Sequence, residues 1–343
     1  MEDFIPYGTQ KIDDNEIEEV VKTLKSGWLT SGPKVKEFED ALCGYIGCKY
    51  AVAVNSGTSA LDMAVKSLDL PAGSEVITTP FTFVADSNLT EKTKAIIYVD
   101  YAGQPCRINE IKKIAEEHCL FLIEDACHAV GAEYNGKKIG NFADMTVLSF
   151  HPVKHITTGE GGAILSDNED LAKKLRMLRN HGIDKAPADR DSWVYDMKDL
   201  GRNYRITDIQ CTLGVTQLKK IEWSIERRQT IAKRYNEELS KLNWVKIPST
   251  SDSVRHAWHL YTILIENGNR EDFFYYMKKN NIGVNLHYIP SYRFSYYRKK
   301  FNFFPKDYPV TEKVFSEIIT LPMYPSMTEE QVERVINLVK RYK

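Results

Sequence analysis

The chain has 343 residues and is nearly neutral, with 46 lysines and arginines against 47 aspartates and glutamates. That balance excludes the charge excess by which proteins gather nucleic acid, a membrane surface or a polyanion. The length suffices for one large core or two unequal domains, and no apolar run reaches membrane-spanning length.

The acidic opening "MEDFIPYGTQ" lacks the apolar segment of a secretion signal. "DDNEIEEVVKTLKSG" (13–27) reads as a capped amphipathic helix closed by glycine. "WLTSGP" is a turn, and "KVKEFEDALCGYIG" a second helix ending at Gly47. Strands and helices then alternate. "YAVAVN" (50–55) is a strand and "TSALDMAVKSLDL" a helix. "EVITT" (75–79) and "AIIYV" (95–99) are strands, "INEIKKIAEEHC" a helix and "LFLIE" (120–124) a strand. "MTVLSF" (145–150) and "GAILS" (162–166) are two more strands. Short apolar strands between helices imply a mostly parallel sheet covered on both faces.

From Thr207 the texture changes to long helices. Beyond Asn243, "AWHLYTILIE" and "REDFFYYMKKNNIGVNLHY" read as strand, helix, strand, and "TEEQVERVINLVKRY" as a closing helix. The expected division is a large α/β domain over residues 1–222 and a smaller α+β domain over 223–343. The six cysteines, Cys43, Cys48, Cys106, Cys119, Cys127 and Cys211, form no CxxC pair and fall mostly in apolar segments. That is the pattern of reduced thiols in a cytoplasmic protein.

Function in an open α/β sheet gathers beyond the carboxyl ends of the strands, so the residues just past each strand matter most. After the first comes "SGTSA" (56–60), opening a helix whose N-terminus favours an anion; alone it is an ordinary cap. After "LFLIE" come Asp125 and His128, a metal pair, an acid–base pair or a structural cap. After "MTVLSF" comes Lys154, among small residues that admit a close neighbour. A solvated surface lysine is its bland reading. Together an anion site, a carboxylate and an amine on one rim match the needs of pyridoxal phosphate (PLP): a holder for its phosphate, an acid for its ring nitrogen and a nucleophile for its aldehyde.

"NSGTSAL", "EDACHAVGAEYNGKKIG", "SFHPVKHITTGEGGAI", "NYRITDIQ" and "LPMYPSMTEEQV" stand in the order that resembles the DegT/DnrJ/EryC1/StrS family of sugar-nucleotide aminotransferases. The resemblance spans nearly the whole chain. It implies the fold type I of PLP-dependent transferases, similar to aspartate aminotransferase, and Lys154 as the Schiff-base lysine. It assigns Asp125 to the ring nitrogen, His128 to the phenolic oxygen side and Phe83 to stacking on the ring. Gly57, Thr58, Ser59 and Ser149 would hold the phosphate, with Asn203 reaching it from the neighbouring subunit of a homodimer.

Glutamate is the implied amino donor and a nucleotide-linked 4-keto-6-deoxy sugar the acceptor. "YVDYAGQPC" and "NLHYIP" are similar to the subgroup making amino sugars for pseudaminic acid and related surface polysaccharides. Tyr7, the turn Gly27, Trp28, Leu29 and Thr30, and His181, His287 and Tyr288 are the implied sugar-nucleotide contacts; for the two histidines a packing role stands beside the ligand role. Dehydrating relatives carry histidine at the lysine position, whereas here His155 follows Lys154, which implies transamination. Relatives usually carry a further strand and loop where Asn88 here meets Leu89. An impaired PLP-binding or partner-binding member is therefore the alternative. A nicotinamide-dependent oxidoreductase is opposed by the absence of GxGxxG.

Overall fold

Two helices lead into the sheet, each ended by the residues that favour an end. In the computed structural model, which describes residues 3–79, 90–184, 193–266 and 269–343, α1 spans Asp14–Lys25 and α2 spans Pro33–Ile46. Asp13 and Glu16 cap α1, the Glu16 carboxylate accepting the Asp13 N–H at 2.7 Å. Gly47 closes α2 in the left-handed conformation, φ 91°, where a Cβ would be strained.

There follow β1 (Tyr50–Val54), α3 (Gly57–Ser67), β2 (Glu75–Ile77), β3 (Thr93–Val99), α4 (Ile108–Glu117) and β4 (Phe121–Asp125). A small hairpin, β5 (Glu133–Tyr134) and β6 (Lys137–Lys138), precedes β7 (Met145–Ser149), β8 (Gly162–Ser166) and α5 (Glu169–Arg179). The central sheet has the order β1-β8-β7-β4-β3-β2. β2, β3, β4 and β7 pair in parallel, and β8 runs antiparallel to both its neighbours, β7 and β1. The carboxyl ends of β1, β3, β4 and β7 therefore meet on one rim. Helices α2 and α4 cover one face with α6 (Asp208–Leu218), and α3 and α5 cover the other.

β1 is an edge strand, and its outer backbone groups are taken by side chains. Glu39 accepts the Ala53 N–H at 3.0 Å, while Arg179 donates to the Ala53 carbonyl at 2.7 Å and Arg176 to the Ala51 carbonyl at 3.3 Å. An edge so occupied offers no free ladder for another strand.

Helix α7 (Ile221–Leu239) places Ile221 and Ile225 in the core of the large sheet, and Ile231, Tyr235 and Leu239 in a second core. That second core holds β9 (Val245–Lys246), β11 (Tyr261–Ile265) and β12 (Ile318–Leu321), with α8 (Arg270–Lys279) and α11 (Glu329–Lys340). Ile5, from the chain's lead, is buried there too. β10 (Val254–Arg255) pairs with β5, and α9 (Ser295–Phe301) and α10 (Pro309–Glu317) lie between α8 and β12.

Two expectations change. "GVNLHY" forms no strand; Asn285 makes a single bridge to Thr320, and its side chain accepts the Leu286 N–H at 2.8 Å, a local bond that competes with a ladder. β11 pairs instead with β9 on one side and with Ile318–Leu321, every residue of which is buried, on the other. "AWHL" also lies outside β11, because Trp258 takes φ 51° and turns the chain.

Of the glycines after Lys154, Gly162 serves backbone packing. A Cβ on Gly162 would lie 2.5 Å from the Ser56 carbonyl oxygen and 2.7 Å from the Gly57 nitrogen. Gly162→Ala should therefore cost about 1–3 kcal/mol in urea unfolding. Gly44→Ala, on the exposed side of α2 with nothing within 4 Å of the new methyl, should gain about 0.5–1 kcal/mol from helix propensity. Equal effects from the two would contradict the packing described.

Candidate active site

Ser149 ends β7, and the loop beyond it is closed by its own hydrogen bonds. Phe150 pairs with Gly161 and Thr158, its N–H donating at 2.8 Å and its carbonyl accepting at 3.0 Å, and Lys154 N–H donates to the His151 carbonyl at 2.9 Å. This fixes Lys154 on the rim. Among the described residues its Nζ makes no hydrogen bond or ion pair. Burial pushes its pKa below the ordinary lysine value, opposed by the neighbouring Cys127 thiol and Asp125 carboxylate. Such an amine spends more time neutral and nucleophilic than a surface lysine.

Asp125 is the last residue of β4, buried, and in register with Val99 on one side and Val147 on the other. One carboxylate oxygen accepts the Cys127 N–H at 3.1 Å, so the cap reading is met by half the group. His128 is buried three residues on. Its Nδ1 meets the Ala102 N–H at 3.3 Å and its Nε2 the Tyr288 hydroxyl at 3.1 Å, which occupies both nitrogens. Burial drives its pKa well below the usual histidine value, and the charge of Lys154 pushes the same way.

At the start of α3, Ser56 caps the helix by accepting the Ser59 N–H at 3.0 Å, and the Ser59 hydroxyl donates to Asn55 at 2.6 Å. Gly57 and Thr58 are left with N–H groups that have no acceptor among the described residues. Ser149 stands directly beside them. A Cβ on Gly57 would lie 2.9 Å from Ser149 Cβ and 3.3 Å from Cys127 Sγ. The anion site, the carboxylate and the amine thus share one rim.

The remaining predicted residues divide. Tyr7 and His287 pack ring to ring at 5.4 Å, and His287 Nδ1 pairs with the Thr320 hydroxyl at 2.8 Å. Tyr288 adjoins His128. Burial pushes His287 down to about 4 and raises Tyr288. The Gly27–Thr30 turn exposes Trp28 and Leu29 and is tied to the start of α6, where Leu29 accepts the Asp208 N–H at 3.0 Å and Thr30 bridges to Thr207. His181 is exposed at φ 61°. Asn203 is exposed too, with its backbone bridged to Asn180 and its carbonyl 3.5 Å from the Asn55 side-chain amide. Phe83 and the Asn88–Leu89 junction lie outside the described residues.

The model of the DegT/DnrJ/EryC1/StrS aminotransferase family matches residues 10–89 and 86–340. The chain belongs to this family. A Campylobacter jejuni protein named UDP-4-amino-4,6-dideoxy-N-acetyl-β-L-altrosamine transaminase is 40% identical over 329 residues, 86% of each chain. Helicobacter pylori PseC, an aminotransferase involved in pseudoaminic acid biosynthesis, superposes with a TM-score of 0.93 at 29% identity, over 98% of both chains. A Streptococcus pneumoniae chain described as a sugar aminotransferase, in its PLP form, gives 0.90 at 29% identity over 97% of both. The fold is the type I fold of PLP-dependent transferases. The family model's two matches meet at residues 86–89, the junction where relatives were expected to be longer.

In this aminotransferase, sequence reasoning missed a wall of histidines. His259 lies 4.4 Å from the His128 ring and 5.6 Å from that of His155, and His256 stacks on Trp258 at 3.8 Å. Arg228, fully buried, donates to the carbonyls of Trp258, His259 and Met323, each at 3.1 Å. The signal was present in "RHAWHLY", two histidines beside a strand.

These imidazoles are held neutral, with His256 pushed down to about 3 and His287 to about 4. The unfolded chain titrates near ~6.5, so below that it binds protons the folded chain refuses. The histidines' contribution to stability is therefore full above pH 7 and lost as pH falls, each adding a slope approaching about 1.4 kcal/mol per pH unit, which the raised buried acids Asp100 and Glu124 offset only in part. Urea unfolding of the cofactor-free protein should show this decline from pH 7 to 5. His256→Asn, which keeps an acceptor for the Trp258 N–H, should flatten the slope; an unchanged slope would mean that His256 titrates freely in the fold.

Proposed function

We propose that this chain is a PLP-dependent aminotransferase that moves an amino group, from glutamate, to the keto carbon of a nucleotide-linked 4-keto-6-deoxy sugar. The observation that carries the reading is Lys154: a half-buried lysine whose desolvated amine has no partner among the described residues, beside Asp125, on the rim that holds the acceptor-free N–H groups of Gly57 and Thr58. The residues fit the cofactor because Gly57 leaves a cradle against Ser149 that a Cβ would fill.

Gly57, Thr58 and Ser149 would hold the phosphate, with Ser59 keeping the helix end in shape. Asp125 would hold the proton of the ring nitrogen, His128 the phenolic oxygen, and Phe83 a ring face. When bound, the cofactor supplies an aldehyde that accepts and returns the amino group and a ring that takes up electrons. Lys154 Nζ, disposed to neutrality by its burial, takes and returns the proton on the reacting carbon. Tyr7, His287 and Tyr288 converge with His128 and would face the sugar; Gly27–Thr30 and His181 would meet the nucleotide.

The names of the Campylobacter and Helicobacter relatives support an amino-sugar product for a surface glycan. Six free cysteines support a reducing, cytoplasmic setting. No helix among the described residues is long and apolar enough to cross a membrane. The two buried cores support a division of the chain within α7, between Ile225 and Ile231, a few residues beyond the expected boundary at 222 and 223.

Glutamate should change the visible absorbance of the PLP-loaded protein, and borohydride should fix the cofactor to the peptide containing Lys154. Lys154→Ala should fold and lose turnover, while Asp125→Asn should bind PLP and slow the glutamate half-reaction by orders of magnitude. A label on another lysine, or no response to glutamate, would overturn the reading.

The homodimer has its own test. Asn203 of one subunit would donate to the phosphate held by its partner, a charge-assisted bond worth about 1.5–3 kcal/mol, so Asn203→Ala should weaken PLP binding about 10- to 100-fold. Mixing Lys154→Ala with Asn203→Ala, with subunit exchange at limiting PLP, gives mixed dimers with one intact site each. Activity should return to about a quarter of wild type. No recovery would place each site within a single chain.

A further inference from the structure

The turn after β3 brings to the site a group with no side-chain chemistry of its own. Ala102 sits at φ 59° and Gly103 at φ 99°. A left-handed alanine is strained and persists only where its surroundings hold it. Here they do. The Ala102 carbonyl accepts the Leu260 N–H at 3.2 Å and the Gly103 carbonyl accepts the Ala257 N–H at 2.9 Å. A Cβ on Gly103 would lie 2.8 Å from Trp258 N, 2.9 Å from His259 N and 3.0 Å from the His128 carbonyl oxygen. The 257–260 segment is pinned in turn by the Arg228 guanidinium on the carbonyls of Trp258 and His259. So clamped, the turn aims the Ala102 N–H at His128 Nδ1.

We propose that the Ala102–Gly103 turn is a tautomer lock: its backbone N–H fixes His128 with a bare Nδ1 and a hydrogen on Nε2, and so makes His128 a donor toward the cofactor's phenolic oxygen. A backbone N–H can only donate, so Nδ1 must accept and carries no proton. A neutral ring then has its hydrogen on Nε2. That nitrogen faces the Tyr288 oxygen at 3.1 Å, which takes its hydrogen in the cofactor-free chain and would yield it to the phenolic oxygen when the cofactor is bound. Neutrality follows from the surroundings, since burial and the nearby Lys154 both disfavour a charged imidazole and His259 packs against the ring. The opposite tautomer would direct a lone pair at an oxygen that carries negative charge. Ala102 and Gly103 are thus positioning residues, acting through His128.

This inference rests on the proposed cofactor site, and two measurements separate the two. Long-range proton–nitrogen correlation on histidine-labelled, cofactor-free protein at pH 7–8, with His128 assigned from its loss in His128→Gln, reads the tautomer without PLP. The expected result is a bare Nδ1 and a protonated Nε2. A hydrogen on Nδ1, or an imidazolium, overturns the lock. Gly103→Ala, which pushes the turn off its clamp, should mix the tautomers; an unaltered tautomer in a folded Gly103→Ala protein also overturns it. If that variant does not fold, the wild-type spectrum still decides.

With PLP, glutamine at 128 places an amide donor near Nε2, whereas asparagine keeps only the acceptor near Nδ1. His128→Gln should bind PLP within about 3-fold of wild type and keep its absorbance band. His128→Asn should bind about 10- to 100-fold more weakly with a shifted band. The reverse order overturns the donor role. Failure of the wild type to bind PLP would sink the cofactor reading, while the tautomer result would stand by itself.

Discussion

The first turn of α3 lies against the paired ends of β7 and β8 at a separation only glycine permits. At Gly162 a Cβ would stand 2.5 Å from the Ser56 carbonyl, and at Gly57 one would stand 2.9 Å from Ser149. Ser149 and Val54 both pair with Gly162, so the antiparallel strand β8 brings the carboxyl ends of β1 and β7 to the same height. Without that insertion the helix end that presents free N–H groups and the loop that carries Lys154 would belong to separate regions of the rim. The anion site and the amine are neighbours because two positions lack a side chain.

Burial is the second constraint, and it acts on the imidazoles and the amine near the rim. Five histidines, His128, His155, His256, His259 and His287, are driven toward neutrality, and Lys154 is lowered by the same cause. The acids behind the rim move the opposite way. Asp100 and Glu124 are fully buried and raised, Glu124 being satisfied by Tyr98, Gly140 and Thr146. A desolvated site in which most groups are uncharged leaves the few remaining charges weakly screened. That gives Asp125 its reach over Lys154, and it gives an anion at the start of α3 more weight than it would have in water.

Much of this was legible in the sequence because the signals were local. Asp13 with Glu16, Gly47 after α2, and Thr328 before α11 announce helix ends by caps whose hydrogen bonds need no tertiary partner. Asp125 and Lys154 stand out because they lie at or just past the ends of apolar strands, where an open sheet gathers its chemistry. "DYAGQPC" holds the same kind of position after β3, yet its side chains disclose nothing, because the working group is a backbone N–H and a left-handed alanine leaves no mark in composition. "GVNLHY" reads as a strand by apolar content, but strand pairing was decided by Ile318–Leu321, far along the chain, and by the local bond of Asn285. The change of role within α7 was hidden for a like reason. Its apolar residues keep helical spacing throughout, and only tertiary contacts separate Ile225 from Ile231.

The order of the sheet also bears on the Asn88–Leu89 junction, where the two matches of the family model meet. That stretch comes after β2, a three-residue strand that ends the sheet on the side away from β1. Every proposed anchor of the cofactor within the described residues is carried elsewhere: Gly57 and Thr58 after β1, Ser149 on β7, Asp125 on β4 and Lys154 in the loop before β8. His128 is held by the turn after β3 and by Tyr288 from the second core. β3 is the strand beside β2, and it keeps five registered pairs with β4, from Ala95 to Val99, so its carboxyl end is fixed by the interior of the sheet. The amine, the carboxylate and the phosphate cradle thus have their described supports away from that stretch, whereas Phe83, the predicted ring-stacking residue, falls in sequence between β2 and β3.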